Sequence, residues 1–436
     1  HNRSARKCEV NRIIRGCVDV KRSTGQHPGG IVVLPHGEEI YSFTPVQHPA
    51  NDATKNIITT HFEYHSIDHN LLKLDELGHD DPTMIRVLED MTGFSARDVK
   101  LDDPSVMKLF DSIEVLGVKP EDVDGYELGT LGVPEFGTDF VMQMLKDTKP
   151  KNFSDLVRIA GLSHGTDVWL NNAQELVKTG QATLSTCICT RDDIMTYLML
   201  QGLEPSMAFD IMENVRKGKV AGGKVADKWV KWQEAMKAHN VPDWYLWSCE
   251  RIQYMFPKAH AVAYVMMAYR IAYYKIFYPL AYYAAYFSIR ASSFNYELMC
   301  LGKEKLLEQM DLIKKRMARG EATPKDDVSL KDMKSVLEMY ARGFEFMPID
   351  IYRAKATRFQ VIDGKIMPAF TSIDGMGDKA AEGLELAASQ DRFTSREDMK
   401  IGSKVSSTMV EKMYNLGLLG SLPESSQLTF ADFFKM

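Results

Sequence analysis

Lys73 and Asp75 lie two residues apart in a short stretch that alternates between apolar and charged side chains. In a β-strand, successive side chains point to opposite faces, which predicts a buried face with Leu72 and Leu74 and a charged face with Lys73 and Asp75. A carboxylate on a stiff strand beside a lysine can hold a divalent metal next to a phosphate. On these residues alone, a surface ion pair at a strand end is the favoured alternative, because such pairs are common.

A second set of reactive side chains lies at the start of the most apolar predicted helix, in residues 256–264. His260 and Tyr264 are four residues apart and therefore share one face of a helix. Together with Lys258 they place a cation, an imidazole and a phenol at a helix start, where free backbone N–H groups favour anions. This arrangement suits a triphosphate and a base. A core helix with a capped entrance is the alternative.

A basic cluster, with Arg216, Lys217 and Lys219, interrupts the chain at a glycine. Such a run is usually solvated charge, but next to a triphosphate site it would clamp phosphates. The sequence contains no Walker A motif, which excludes a P-loop as the phosphate cradle.

Two glycine turns near the C-terminus have the spacing of a backbone-binding motif. Gly375 and Gly377 alternate with apolar residues, and a helix with Lys379 follows. Glycines allow close approach to a phosphate, and the helix start attracts negative charge, as in a helix-hairpin-helix that grips duplex backbone. Gly417 and Gly420 form a second turn of this kind. An ordinary helix-helix turn with two glycines is the alternative.

The elements that position these residues are strands near the N-terminus and helices beyond. Strands are predicted at 31–35, 59–64 and 71–75, in a small and incomplete sheet that follows a basic helix within 1–24. Helices are predicted at 83–92, 104–110, 139–146 and 154–161, the last with Ser154 as its N-cap, and then from about 167 to 319. A strand pair follows near 359–366. The fold class is therefore α+β and predominantly helical.

Composition describes a chain of several domains. The 436 residues are 45% hydrophobic and 26% charged with a net charge of −6, which is typical of a soluble globular protein. Six scattered cysteines without a C-x-x-C pair predict reduced thiols and neither a disulfide framework nor a structural zinc. The apolar run 259–289 is interrupted by charges and proline, which favours buried helices over a membrane span. Because the chain starts at His1, we expect part of a longer protein.

Five segments together resemble the C-terminal part of the C-family bacterial replicative DNA polymerases of PolC type, the DNA polymerase III α subunits of low-GC Gram-positive bacteria. Their order is that of the family, and the match runs over nearly the whole chain. The segments are residues 24–30 (TGQHPGG), 73–83 (KLDELGHDDPT), 132–137 (GVPEFG), 161–169 (GLSHGTDVW) and 256–261 (FPKAHA).

The resemblance implies roles for the residues singled out above. Asp75 matches the third metal-binding aspartate of the palm, and Lys73 the lysine beside it that faces the phosphates of the incoming nucleotide. Other matches are to the fingers helix that meets the nucleotide (Lys258, His260, Tyr264), a basic fingers segment (Arg216, Lys217, Lys219) and the duplex-binding domain (Gly375, Gly377). The implied activity is DNA-directed DNA polymerisation with primer-template DNA, dNTPs and replisome components as partners, in the bacterial cytoplasm at the nucleoid and without a membrane.

The chain departs from the family pattern in one respect. The close pair of aspartates that completes the two-Mg²⁺ site of the family has no counterpart before Asp75. One carboxylate cannot hold both ions, so the 436 residues alone are predicted to be inactive. An inactive fragment that holds primer-template DNA is therefore the alternative to a polymerase portion. A DNA-structure binder that uses only the hairpin domain is a third, weaker one.

The resemblance also divides the chain into domains. It implies the end of the thumb at 1–24, the C-terminal part of a polymerase-β-like palm at 25–125, helical fingers at 126–329, and a helix-hairpin-helix domain at 330–424. Residues 425–436 form a tail in which Gln427, Leu428 and Phe430 resemble a degenerate peptide for binding the sliding clamp. A simple docking tail is the alternative.

Overall fold

The computed structural model describes residues 5–18, 20, 26–27, 29–76 and 78–425. The chain forms two compact units, residues 1–79 and 80–436. Helices dominate the described residues and strands form only two-stranded sheets, which confirms the predicted α+β and mainly helical class.

The helices, in chain order, are α1 Lys7–Cys17, α2 Asp80–Thr92, α3 Pro104–Leu109, α4 Asp139–Thr148, α5 Phe153–His164, α6 Gln174–Lys178, α7 Arg191–Leu200, α8 Pro205–Arg216, α9 Ala226–Ala238, α10 Asp243–Cys249, α11 Lys258–Phe277, α12 Pro279–Ile289, α13 Tyr296–Met299, α14 Lys303–Ala318, α15 Pro324–Ala341, α16 Asp378–Gln390, α17 Arg396–Ser403 and α18 Ser407–Asn415. The strands are β1 Gly30–Val33, β2 Val46–Gln47, β3 Thr59–Thr60, β4 Leu72–Asp75, β5 Gln360–Ile362 and β6 Lys365–Met367.

The first unit contains two antiparallel strand pairs, β1 with β4 and β2 with β3. The strand predicted at 59–64 is present only as the two residues of β3. The prediction of a buried leucine face on β4 was wrong, because Leu72 is 60% exposed and Leu74 is 43% exposed. Ile31 and Val33 of β1, which pair with Leu74 and Leu72, are exposed too. The strand predicted at 31–35 is therefore not buried. A ribbon of two strands has no second layer of its own to cover this face.

The second unit has three hydrophobic clusters. One joins residues from Val99 to Ala272, a second joins α2, α12, α14 and α15, and a third fills the C-terminal domain. Val106 and Phe110 lie in the first cluster with Tyr269 of α11. The range 25–125, predicted as palm, is thus divided between the two compact units.

The apolar run 259–289 folds as two packed helices, α11 and α12. Pro279 begins the second helix, and most of the side chains of α12 are buried in the second cluster. Among the described residues, no helix is both long and apolar enough to cross a bilayer. The prediction of buried helices is confirmed.

Two local predictions have different outcomes. The N-cap of α5 is Asn152, whose side chain accepts the N–H of Asp155, so the prediction for Ser154 was wrong. Asparagine and serine are both good caps, and the helix starts two residues earlier than predicted. The strand pair predicted near 359–366 is confirmed as β5 and β6. All six cysteines are free thiols.

Candidate functional site

The β1–β4 ribbon places the predicted charged pair on one face. Asp75 lies opposite Gly30 in the strand register, and the Lys73 Nζ atom is 3.4 Å from an Asp75 carboxylate oxygen. The His27 Nε2 atom is 3.8 Å from the same oxygen, and the Asp75 side chain is 47% exposed. A Cβ at Gly30 would come within 2.9 Å of the His27 ring and 3.4 Å of Asp75. Glycine at this position therefore leaves room for both side chains.

A cavity of about 1130 Å³ borders this face within the first unit. Lys73 lines it, with its ammonium 5.0 Å from the centre of the Tyr64 ring. His27, His61 and His65 also line the cavity. Glu63 and Glu76 line it as well, so the cavity wall carries acidic and basic side chains together.

The metal-binding potential at Asp75 is limited. Within residues 5–18, 20, 26–27, 29–76 and 78–425, no group of three or more histidine, cysteine or acidic side chains includes Asp75. Mg²⁺ is bound through one or two carboxylates in addition to phosphates and water, and a pair of ions needs more than one. Asp75 can therefore be one ligand of such a site but cannot form it.

In the second unit, the extended segment 253–257 before α11 connects three distant parts of the chain. Thr166 donates its N–H to the Tyr254 carbonyl at 2.9 Å, and Arg191 donates to Phe256 at 3.1 Å. Met255 in turn donates its N–H to the Arg216 carbonyl at 3.1 Å. The loop after α5, the start of α7 and the end of α8 are thereby fixed around the start of α11.

Lys258, the first residue of α11, is held by two acidic residues of α7. Its backbone N–H donates to an Asp192 carboxylate oxygen at 2.6 Å, and its ammonium is 2.6 Å from an Asp193 oxygen. The second Asp193 oxygen accepts the Thr190 N–H at 2.8 Å. The predicted cation at the helix start is present, and carboxylates occupy the position where a phosphate would bind.

Aromatic rings form a continuous stack along the first turns of α11. His260 lies 4.4 Å from Tyr264 and 4.9 Å from Phe256 between ring centres, which confirms that His260 and Tyr264 share a face. The ring of His164 packs edge-on against Phe256 and His260, and its Nε2 atom is 2.7 Å from a Glu135 oxygen. The hydrogen bond that His164 donates to Glu135 raises the pKa of His164. Burial and the neighbouring His164 charge lower the pKa of His260.

The basic segment at the end of α8 carries its own counter-charge. Glu213 binds the Arg216 guanidinium, with a second contact at 3.0 Å, and lies 2.9 Å from the Lys217 ammonium. These bonds lower the pKa of Glu213 to about 2. Lys219 is exposed one residue beyond the glycine break.

Sequence reasoning missed the acidic partners Glu135, Asp193 and Glu213. The spacing of Glu213 three and four residues before Arg216 and Lys217 was a usable signal, because such residues are neighbours on a helix. Glu135 and Asp193 have partners far along the chain, so spacing carries no signal for them.

The glycine turn at 373–377 has the predicted form. Gly375 has a φ of +90°, a left-handed conformation that favours glycine, and Gly377 is the N-cap of α16. Lys379 is exposed in the first turn of that helix. Lys412 of α18 donates to the Asp374 carbonyl at 2.9 Å and thereby fixes the turn.

The second glycine turn has a different surrounding. Gly417 and Gly420 both have positive φ, but they follow α18, and the described chain continues after them to residue 425 without another helix. The tail residues Gln427, Leu428 and Phe430 lie outside the described residues, so the predicted clamp peptide stays a prediction.

Comparison with known proteins gives matches to three family models and to curated relatives. The models are the bacterial DNA polymerase III alpha NTPase domain at residues 1–78, the bacterial DNA polymerase III alpha subunit finger domain at 81–240 and a helix-hairpin-helix motif at 343–428. The chain is 49% identical over its whole length to the DNA polymerase III PolC-type of Streptococcus thermophilus, of which it covers 30%. It is 50% identical, over 98% and 97% of its length, to the proteins of that name from Caldanaerobacter subterraneus and Clostridium perfringens, of which it covers 30% and 28%.

The chain belongs to the PolC-type DNA polymerase III family. It spans about three tenths of the length of these relatives and corresponds to a C-terminal portion of them. The finger-domain match contains the segments around Glu135, His164, Asp193 and Arg216, and α11 begins after that match ends. Both glycine turns lie in the helix-hairpin-helix match. The roles of individual PolC-type site residues remain predictions.

Proposed function

We propose that this chain forms the fingers, part of the palm and the duplex-binding domain of a DNA-directed DNA polymerase that adds dNTPs to a primer 3′-hydroxyl. The observation that carries this proposal is the assembly around the start of α11. There the turn at 132–137, the end of α5, the start of α7 and the end of α8 meet one cation and one ring stack. This combination suits a ligand with a flat base and several phosphates.

The incoming nucleotide would use two kinds of contact in the fingers. The face formed by Phe256, His260 and Tyr264 offers aromatic area for a base, since base–aromatic stacking tolerates every base. Lys258 and Arg216 would bind the phosphates after releasing the carboxylates that now hold them. Because a phosphate replaces the carboxylate, each cation is paired with an anion both before and after the nucleotide binds.

In the palm portion, Asp75 would supply one oxygen ligand to Mg²⁺, and Lys73 would face the phosphates. Mg²⁺ in this class of reaction activates the 3′-hydroxyl and stabilises the leaving pyrophosphate. The described residues provide too few carboxylates for two ions, so no catalytic step is assigned to this chain alone. We propose that the remaining carboxylates belong to a longer polymerase and that residues 1–436 alone do not extend a primer.

The C-terminal domain would hold duplex DNA through its backbone. The glycine turn at 373–377 and the start of α16 present N–H groups and a positive helix end, and Lys379 adds a cation. This grip carries no sequence preference, as replication of any template requires. Contact of the tail with a sliding clamp, and through it with the replisome, is part of the same proposal.

His260→Ala in the polymerase that contains this sequence is expected to raise the KM for dNTPs about tenfold or more, because the base loses a ring on which to stack. The Kd for primer-template DNA should stay within about twofold, since the fingers stack does not grip duplex. Steady-state extension and DNA binding by fluorescence anisotropy measure both quantities. His239→Ala is the matched control, because the His239 ring is hydrogen-bonded to the Ala235 carbonyl of the preceding helix α9. An unchanged KM would remove His260 from the nucleotide site.

Lys379→Glu should have the opposite pattern, with weaker DNA binding and normal dNTP use. A lost phosphate contact lowers the slope of log K against log salt by about 1. Anisotropy titrations of primer-template DNA over a range of salt concentrations measure that slope. Lys400→Glu, at an exposed position of α17, controls for the change in net charge. If both variants weakened binding equally, the glycine turn would not be a specific grip.

The alternative is a binding module that holds primer-template DNA without chemistry. The observation that favours it is that, among the described residues, Asp75 belongs to no group of three or more possible metal ligands. Primer extension with residues 1–436, and separately with the complete polymerase, distinguishes the two. Extension only by the complete protein supports a polymerase portion, and failure of both supports the binding module.

A further inference from the structure

We propose that Glu135 and His164 are positioning residues for the nucleobase, and that they fix the rings of Phe256 and His260 as the surface on which the base stacks. This inference rests on the proposed function, because it concerns the same nucleotide site. Neither residue was given a role by the sequence. The pair is built from the turn at 132–137 and the C-terminal end of α5, 29 residues apart along the chain.

The hydrogen bonds of His164 require protons on both ring nitrogens. Its Nε2 atom is 2.7 Å from the Glu135 carboxylate, and its Nδ1 atom is 2.6 Å from the Ala160 carbonyl. Both partners are acceptors, and a neutral imidazole has just one N–H to donate. The Ser163 hydroxyl is also 3.3 Å from Nδ1, but it donates its proton to the Ala160 carbonyl at 3.1 Å. The geometry is therefore satisfied by the imidazolium, a fixed cation that is largely shielded, with 21% of its side chain exposed.

Glu135 is held firmly enough to fix this ring. Its backbone has a φ of +67°, a left-handed conformation that a non-glycine residue adopts only where its surroundings impose it. The neighbouring Gly137 packs against the backbone of Gly132 and Val133, so that any added Cβ would approach within 3.0 Å. The backbone of the turn therefore fixes the direction of the Glu135 carboxylate. The Glu135 side chain is 17% exposed, and it alone could change conformation.

The ring of His164 meets the stack edge-on. It lies 5.8 Å from Phe256 at 74° and 5.7 Å from His260 at 80°. Near-perpendicular ring pairs at this separation are a favoured aromatic arrangement. His164 thereby holds the two stacked rings from the side and leaves the stack to receive a base.

The charge on His164 also affects the protonation state of the neighbouring His260. The groups around His164 are Glu135 from the turn, the Ala160 carbonyl of α5 and the His260 and Tyr264 rings of α11. A carboxylate oxygen of the buried Asp81 of α2 lies within 4.8 Å of one of Glu135. The groups that act on His260 are His164 and Glu135. A second cation beside the first is unfavourable, and the pKa of His260 is lowered by burial and by His164. His260 thus meets the base as a neutral ring.

Histidine NMR of residues 1–436 tests the protonation without any activity. With ¹⁵N-histidine, and His164→Gln to assign the signal, His164 should titrate above the ordinary midpoint of histidine and keep two protonated nitrogens at a pH just above that midpoint. Glu135→Gln should lower the titration midpoint of His164, because the hydrogen bond to Glu135 is the largest cause of its raised pKa. A single protonated nitrogen in the wild type at that pH, or a midpoint unmoved by Glu135→Gln, would overturn the inference. If Glu135→Gln fails to fold, the wild-type measurement, assigned with His164→Gln, still tests the inference.

Kinetics of the complete polymerase test the positioning itself. Glu135→Gln and His164→Gln should raise the KM for dNTPs about tenfold, equal to ~1.4 kcal/mol, with kcat and primer-template Kd within about twofold. Glu127→Gln, which removes an exposed pair with Lys146, is the matched control. If His260→Ala impairs dNTP use but these variants do not, the positioning inference alone fails. If His260→Ala is also silent, the proposed nucleotide site fails.

Discussion

Asp75→Asn in the complete polymerase is expected to lower the rate of primer extension by roughly 1,000-fold, or ~4 kcal/mol of transition-state stabilisation. Asparagine keeps the shape of the side chain but loses the negative charge that would bind Mg²⁺. Primer-template Kd should stay within about twofold, because Asp75 lies on the β1–β4 ribbon and outside the duplex-binding domain. Single-turnover extension and anisotropy measure the two effects.

The matched control for this variant is Asp68→Asn, an exposed aspartate in the same compact unit. It changes the net charge by the same amount and should extend primers normally. Higher Mg²⁺ should not restore extension by Asp75→Asn, since the ligand and not the ion is missing. Normal extension by the Asp75 variant would remove this residue from the metal site and would favour the binding-module alternative.

Lys275→Met is expected to lower the free energy of unfolding by about 3–5 kcal/mol, the usual result of removing one partner of a buried ion pair. Lys275 is completely buried in α11, and its ammonium is 2.8 Å from Glu338 of α15. It also donates to the carbonyls of Gly129 and Leu131, at 2.8 Å and 2.5 Å. Methionine keeps the apolar stem but leaves a buried carboxylate and two carbonyls without their donor. Chemical denaturation of residues 1–436 measures the change.

A double-mutant cycle with Glu338→Gln separates the pair from the packing. The double variant should lose less stability than the sum of the two single variants, because no charge is then left alone. Lys315→Met is the control on an exposed pair with Asp311, and it should cost less than about 1 kcal/mol. Equal losses at Lys275 and Lys315 would contradict a structural role for the buried pair.

Local patterns predicted several features correctly. The period of two in a strand places Lys73 and Asp75 on one face, and the i to i+4 spacing in a helix places His260 beside Tyr264. The glycine turn at 373–377 follows from backbone conformations that glycine adopts at no cost. These features depend on neighbours within a few residues, so the sequence contains the information.

The burial of side chains was predicted less well than the face of the strand or helix on which they lie. Leu72 and Leu74 alternate as a buried face would, yet both are exposed. Alternation shows only that two faces differ, whereas burial also requires another layer to cover one of them. The same reason explains Lys275, a charged residue in an apolar helix whose completely buried position the sequence did not indicate.

The sequence by itself determined the mainly helical class and the places of the glycine turns, because each depends on local spacing. The side chains predicted to carry the chemistry of a polymerase were implied by the family resemblance. Only the tertiary structure decided which acidic residues pair with the basic side chains. Asp192 contacts Lys258 across 66 residues, and Glu338 contacts Lys275 across 63. Such pairs form because packing brings distant helices together, and short-range periodicity carries no record of that packing.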